Sequence, residues 1–214
     1  MATASYKATP EEAAYELRAQ ESSLWIGSRL AIGILTFAFA SLAFAYFYLR
    51  STNSYQLWRP RGITAPTTFG GAIFATMIAS SVLVIYGAQR HKKGAVLDWQ
   101  VAWWTAVIGS LLALGLQVYQ LTQLPFFPGR SGYTSCFIGW AGMNIALIAG
   151  SWYWLETLLA RATRLKRALA QDGGSAVSNL PAARLFRANI DSCAYFWGFV
   201  GLVSGFFWLL FYII

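Results

Sequence analysis

The sequence predicts an all-α protein, a polytopic transmembrane bundle of five helices. Of its 214 residues, 57% are hydrophobic and only 11% charged, where soluble domains carry roughly 25% charged residues. Mean hydropathy is +0.49. Five apolar runs, at about 25–49, 70–89, 101–124, 134–160 and 191–213, reach the roughly 20 helical residues that cross a hydrocarbon core of about 30 Å. The basic residues fall unevenly between those runs, and no strand alternation competes with the helical reading. A net charge of +8 would suggest nucleic acid in a soluble protein, but here topology and anionic headgroups account for it, and no nucleic-acid partner is expected.

Residues 1–24 read as a tail with a short amphipathic surface helix, and residues 25–214 as the membrane domain. Thr9 suits the N-cap of the tail helix, Pro10 its first position, and Glu12 the third position of a capping box. The first apolar run is too long for a signal-peptide core and lacks a small-residue cleavage site, so it is read as a retained helix. Trp58 and Tyr55, in the Pro- and Gly-containing connection that follows, suit a membrane interface. The short "PFFPGRSGY" turn makes the third and fourth helices antiparallel neighbours. Residues 161–190 form the longest polar stretch, helical at its start and flexible around Gly173 and Gly174.

Eleven Lys and Arg residues lie in the tail and the 90–99 and 161–190 loops, against four in the two opposite loops. That bias puts the N-terminus in the cytoplasm and the C-terminus outside. Cys136 and Cys193 then open helices at opposite faces, too far apart for a disulfide or a shared metal. Small residues four apart (Gly71, Ala75, Ala79; Gly142, Ala146, Gly150; Gly201, Gly205) predict close helix contacts.

Few residues carry chemistry. His91, the single histidine, lies in the basic "QRHKKGA" loop and is expected to be solvated or headgroup-facing, so this chain is expected to bind no haem or copper itself. Asp98 and Asp172 are assigned to loops at the same side. Glu156 is a candidate intramembrane carboxylate, while Asp191 fits the positive start of the fifth helix. Gln117, Gln120 and Gln123 fall on one face of the third helix, able to bond neighbouring helices or line a water path. Asn144 stands alone in the apolar run of the fourth, where an unpaired amide costs a few kcal/mol.

Several stretches together resemble subunit III of the haem-copper terminal oxidases, cytochrome c oxidase type, in its short five-helix form. They are "AYFYLR" and "WRPRGI" after the first helix, "IASS" at 78–81, "QVYQ" where the family has Gln-x-x-Glu, "YTSCF" with "LLAR" in the fourth helix, and "YFW" with "FWLLFYII" in the fifth. The alignment puts Asn144 and Leu147 at two family histidines, Gln120 at a glutamate, Leu35 near another, and Gly198 and Gly201 at a histidine and an aspartate. Asp191 keeps a carboxylate just before that last motif. The resemblance implies a non-catalytic subunit of the bacterial inner membrane with no cofactor of its own. Its partners would be the haem- and copper-bearing subunit I, other oxidase subunits, phospholipids and a respiratory supercomplex. Gln120 and Asn144 would be neutral remnants of a polar site, exchanging amide hydrogen bonds between helices 3 and 4, while Gln117 matches the glutamine of the family signature. An assembly scaffold, a subunit of a quinol oxidase or nitric oxide reductase, and a small transporter remain open alternatives.

Overall fold

The computed structural model describes residues 9–52, 58–60, 62–171 and 180–214, without the side chains of residues 167–171. Lys7, Tyr55, Arg61, Asp172, Gly173 and Gly174 lie outside that description. The described residues form five helices: α1 Pro10–Ser51, α2 Thr67–Lys92, α3 Val96–Thr122, α4 Gly132–Gln171 and α5 Pro181–Trp208, the last continuing into a π-helical turn, Leu209–Ile213. Each contains a stretch long and apolar enough to cross a membrane, and the chain is a multi-pass membrane protein. The end holding residue 10, the α2–α3 turn and the start of α5 is called here the N-side, and the opposite end the C-side.

The expected capping box is present: Thr9 N–H donates to Glu12 Oε2 at 2.7 Å and Glu12 N–H to Thr9 Oγ1 at 3.3 Å. The helix it starts does not stop at residue 24. With no proline after Pro10 to break it, the surface helix and the first membrane helix are one element of 42 residues, about 63 Å long. α4 likewise overshoots its apolar run, covering 40 residues, because residues 161–171 continue the helix beyond the membrane stretch. Both extensions leave the N-side, where Arg184 of α5 grips Glu21 of α1 through two bonds of 2.9 Å. This partly exposed pair is worth about 0.5 kcal/mol. Arg184→Ala is therefore expected to leave the fold intact while speeding tryptic cleavage after Arg18. Unchanged cleavage would mean that other contacts hold the extension.

α5 lies at the centre, packing on α1, α2 and α4, while α2 and α3 form the most extensive pair and α3 also packs along α4. α1 is peripheral: its most apolar window is 11% buried, against 50% for α4 and α5. Gly94, at φ +80, turns the chain between α2 and α3, its N–H donating to His91 O at 3.0 Å. The turn is so tight that Asp98 belongs to the first turn of α3 rather than to a loop, and it pairs with Arg90. The same tightness corrects the expectation for His91, which is 1% exposed and edge-on to Trp99 and Phe186 at 5.0 and 5.9 Å.

Trp58 is also buried within the protein. Its ring meets Tyr46 edge-on at 4.8 Å, and its carbonyl accepts the Tyr133 N–H at 3.2 Å, closing the C-side with aromatic side chains. Of the three small-residue series, only the last meets a neighbour: a Cβ on Gly201 would stand 2.9 Å from Ser81 Oγ, and one on Gly205 3.5 Å from Phe74. Gly71, Gly142 and Gly150 have nothing within 4 Å, because spacing fixes which residues share a face and not which face turns inward. Cys136 and Cys193 are both free and buried.

Candidate functional site

Gln117 and Gln120 stand three residues apart on α3 and are fully buried, as is Asn144 on α4 at 1% exposure. Asn144 Nδ2 donates to Gln117 Oε1 at 2.9 Å, and Gln117 Nε2 donates to Gln120 Oε1 at 3.0 Å. Gln120 Nε2 then donates to the Tyr212 hydroxyl at 2.6 Å and to Pro66 O at 3.3 Å. These bonds join α4, α3, the residue preceding α2 and the terminal turn after α5. Beside them the Tyr133 hydroxyl donates to Phe211 O at 3.2 Å and accepts the Ala65 N–H at 3.4 Å, tying α4, the segment before α2 and the terminal turn a second time.

Asn144 is thus bonded, and its direct partner is Gln117, with Gln120 one bond further along. Its Oδ1 has no donor among the described residues. The Gln123 side chain takes no part: the residue caps α3, is exposed, and its Nε2 donates to Thr122 Oγ1 at 3.3 Å. The stripe of three is cut to two because the helix ends there.

The chemistry of this cluster is set by its members. Amides neither gain nor lose a proton near neutral pH, and each offers both donor and acceptor, so the cluster holds helices in register without charge. Tyr212 and Tyr133 escaped the reading of the sequence. A tyrosine inside an aromatic run looks like packing, and only its polar tip, which needs a partner once buried, signals more.

The carboxylates lie elsewhere. Asp191 sits in the third turn of α5, which begins at Pro181, so the helix start does not account for it. Lys92 does, with Nζ 3.0 Å from Asp191 Oδ1. Glu156 projects from the exposed face of α4, away from the amides. Among the described residues, no three His, Cys, Asp or Glu side chains gather as a metal site would require. Of the other aligned positions, Leu147 is core, Gly201 packs on Ser81, and Gly198 lines a groove between α1, α2 and α5. Comparison with protein families and with curated proteins finds no match to this chain.

Proposed function

We propose that this chain is a non-catalytic, integral subunit of a haem-copper respiratory oxidase of the cytochrome c oxidase type, in a bacterial plasma membrane. It stabilises the catalytic subunit of a complex that reduces oxygen to water and pumps protons. The observation that carries the reading is the amide chain from Asn144 through Gln117 and Gln120 to Tyr212. Two of its members, Asn144 and Gln120, stand where the resemblance aligns titratable groups of the family, and they bond without charge. The weakly buried α1 supports the reading too, since exposed Ile34, Phe37 and Phe44 give it an apolar flank for a neighbouring subunit. On the distribution of basic residues, the N-side faces the cytoplasm. Haem and copper belong to the partner subunits.

The test is purification of the tagged chain in mild detergent, with an optical spectrum and metal analysis of the product. Haem bands with copper are the expected result; a colourless, metal-free protein that is stable alone would overturn the proposal. Within the complex, Asn144→Leu should lower thermal stability by about 1 kcal/mol while turnover per intact complex stays the same. A loss of turnover without dissociation would give Asn144 a part in the chemistry instead.

A further inference from the structure

We infer that the C-side end of the bundle is a docking surface for a water-soluble protein with a carboxylate-rich face, held reversibly by Arg50, Arg59 and Arg130 with Phe127 beside them. The inference does not rest on the assembly proposed above. It starts from an asymmetry of charge. No Asp or Glu occurs between Glu21 and Asp98, between Asp98 and Glu156, or between Asp191 and Ile214, so the C-side loops carry arginine with no acidic side chain to answer it. They carry no lysine either. Topology does not account for these cations, since the residues that set orientation collect at the opposite end.

The fold brings the arginines together from three segments. A Cβ on Gly132 would stand 2.8 Å from the Trp58 ring and 3.4 Å from Leu49 Cβ, so the end of α1, the α1–α2 connection and the start of α4 meet there. Arg50, Arg59 and Arg130 each lie one or two residues from that meeting point. Arg50 and Arg59 are both within electrostatic reach of the Tyr46 side chain. Arg59 is half-buried, its guanidinium carbon 4.6 Å from the centre of the Tyr133 ring and its Nε donating to Ile63 O at 3.4 Å. Ring and carbonyl hold the planar fork in place before a carboxylate arrives. Phe127 and Arg130 are displayed by a turn. The Arg130 N–H donates to Phe127 O at 3.4 Å, with Pro128 and Gly129 between them and Gly129 at φ +84, as in a type II turn. Ser135 Oγ accepts the Gly129 N–H at 3.0 Å and ties the turn to α4. Phe127 thus stands 80% exposed next to a cation, and arginine with aromatic side chains is a combination enriched in protein interfaces.

Position favours a protein over a lipid. Tyr133 is fully buried among the aromatic side chains that close the C-side, and Arg59 lies on its ring, over the end of the bundle rather than along its lipid-facing flank. A headgroup lies beside the helices, whereas a partner in the aqueous phase reaches their end. Cations from three segments with an exposed ring at their edge also make a surface broader than one small anion fills. Exposed ion pairs are individually weak and screened by salt, which makes the contact reversible. Their long-range field speeds encounter with an acidic face and turns away a basic one.

The experiment uses the full chain in phosphatidylcholine nanodiscs with a fluorophore on Gln123→Cys, an exposed C-side position, the native cysteines being buried. The probe is a quencher-bearing peptide of repeated Glu-Glu-Leu, and its control carries Gln in place of Glu. The acidic peptide is expected to quench saturably at low ionic strength and to weaken as salt screens the charges, while the control does not bind. Arg50→Gln, Arg59→Gln and Arg130→Gln together should cost about tenfold in affinity. Phe127→Ala should cost about fivefold, and Arg59→Lys about threefold although it keeps the charge. Equal binding of the control peptide would overturn the inference, as would a triple variant or an Arg59→Lys protein that binds like the parent. Phosphatidylglycerol carried by the parent in native mass spectra and lost from the triple variant would give the arginines to headgroups and overturn it too. So would a polypeptide that the arginines retain through a wash at about 1 M salt, since that would be a fixed subunit. If the triple variant does not fold, as judged by its helical circular dichroism, Arg130→Gln and Phe127→Ala decide, both being exposed turn residues.

Discussion

Gln120→Leu is expected to destabilise the bundle by about 2 kcal/mol, more than any other single change in the amide chain. Gln120 accepts from Gln117 and donates to both Tyr212 and Pro66, so leucine removes three bonds at once. It strands the buried Gln117 Nε2 and takes the donor from the Tyr212 hydroxyl, while the Pro66 carbonyl keeps the Gly70 N–H at 3.2 Å. Interhelical hydrogen bonds in membranes average about 0.6 kcal/mol each, which keeps the total near 2 rather than 5. Gln117→Leu, which removes two bonds, should cost less, and Tyr212→Phe, which removes one, least. Unfolding titrations in mixed micelles would give this order. A Gln120→Leu protein as stable as the parent would show that the amides are passengers in a bundle held by packing alone.

The second large effect is expected at the α2–α3 contact. A Cβ on Gly87 would lie 2.5 Å from Cδ1 and 2.8 Å from Nε1 of Trp103, a fully buried ring whose N–H donates to Val84 O at 2.9 Å. Gly87→Ala therefore adds one methyl where the ring cannot yield without losing that bond, at a cost of about 1–3 kcal/mol. Because alanine is the better helix former by about 1 kcal/mol, a destabilising outcome cannot come from propensity. In a Trp103→Leu background the same change should cost close to nothing, since the obstructing ring is gone. Equal costs in both backgrounds would place the strain somewhere other than this contact.

The sequence made the spans legible and left their ends obscure, for one physical reason. Hydropathy marks where the bilayer is, not where the helix stops, so α1 begins fifteen residues before its apolar run, at Pro10 rather than at residue 25. The amides stood out because a polar side chain in an apolar run must find a partner, and Asn144, Gln117 and Gln120 do so together. The acceptors at the far end of the chain did not stand out: Pro66 contributes only a carbonyl, and Tyr212 sits among aromatic neighbours. His91 was misjudged from its basic neighbours, because a three-residue turn folds the last turn of α2 onto Trp99. Asp191 was assigned to a helix start that lies ten residues earlier, and only the fold brings Lys92 to it.

The placement of α1 has a consequence for how the molecule is made. α1 does not pack along α2, its successor in the chain, but along α4 and α5. When a ribosome has delivered α1 to the membrane, neither of those neighbours exists. α2 and α3 can pair as soon as both have emerged, whereas α1 waits for Phe207 of α5 to cover Phe39. At 5–20 residues per second, the interval between the end of α1 and the end of α5 is about 8–30 s. Until α4 emerges the first helix is a lone hydrophobic segment, held by lipid or by the insertion machinery, and until α5 follows it has only its α4 contacts. α5 thus completes the packing of α1, and a chain interrupted before Pro181 leaves α1 only partly covered and open to proteolytic removal.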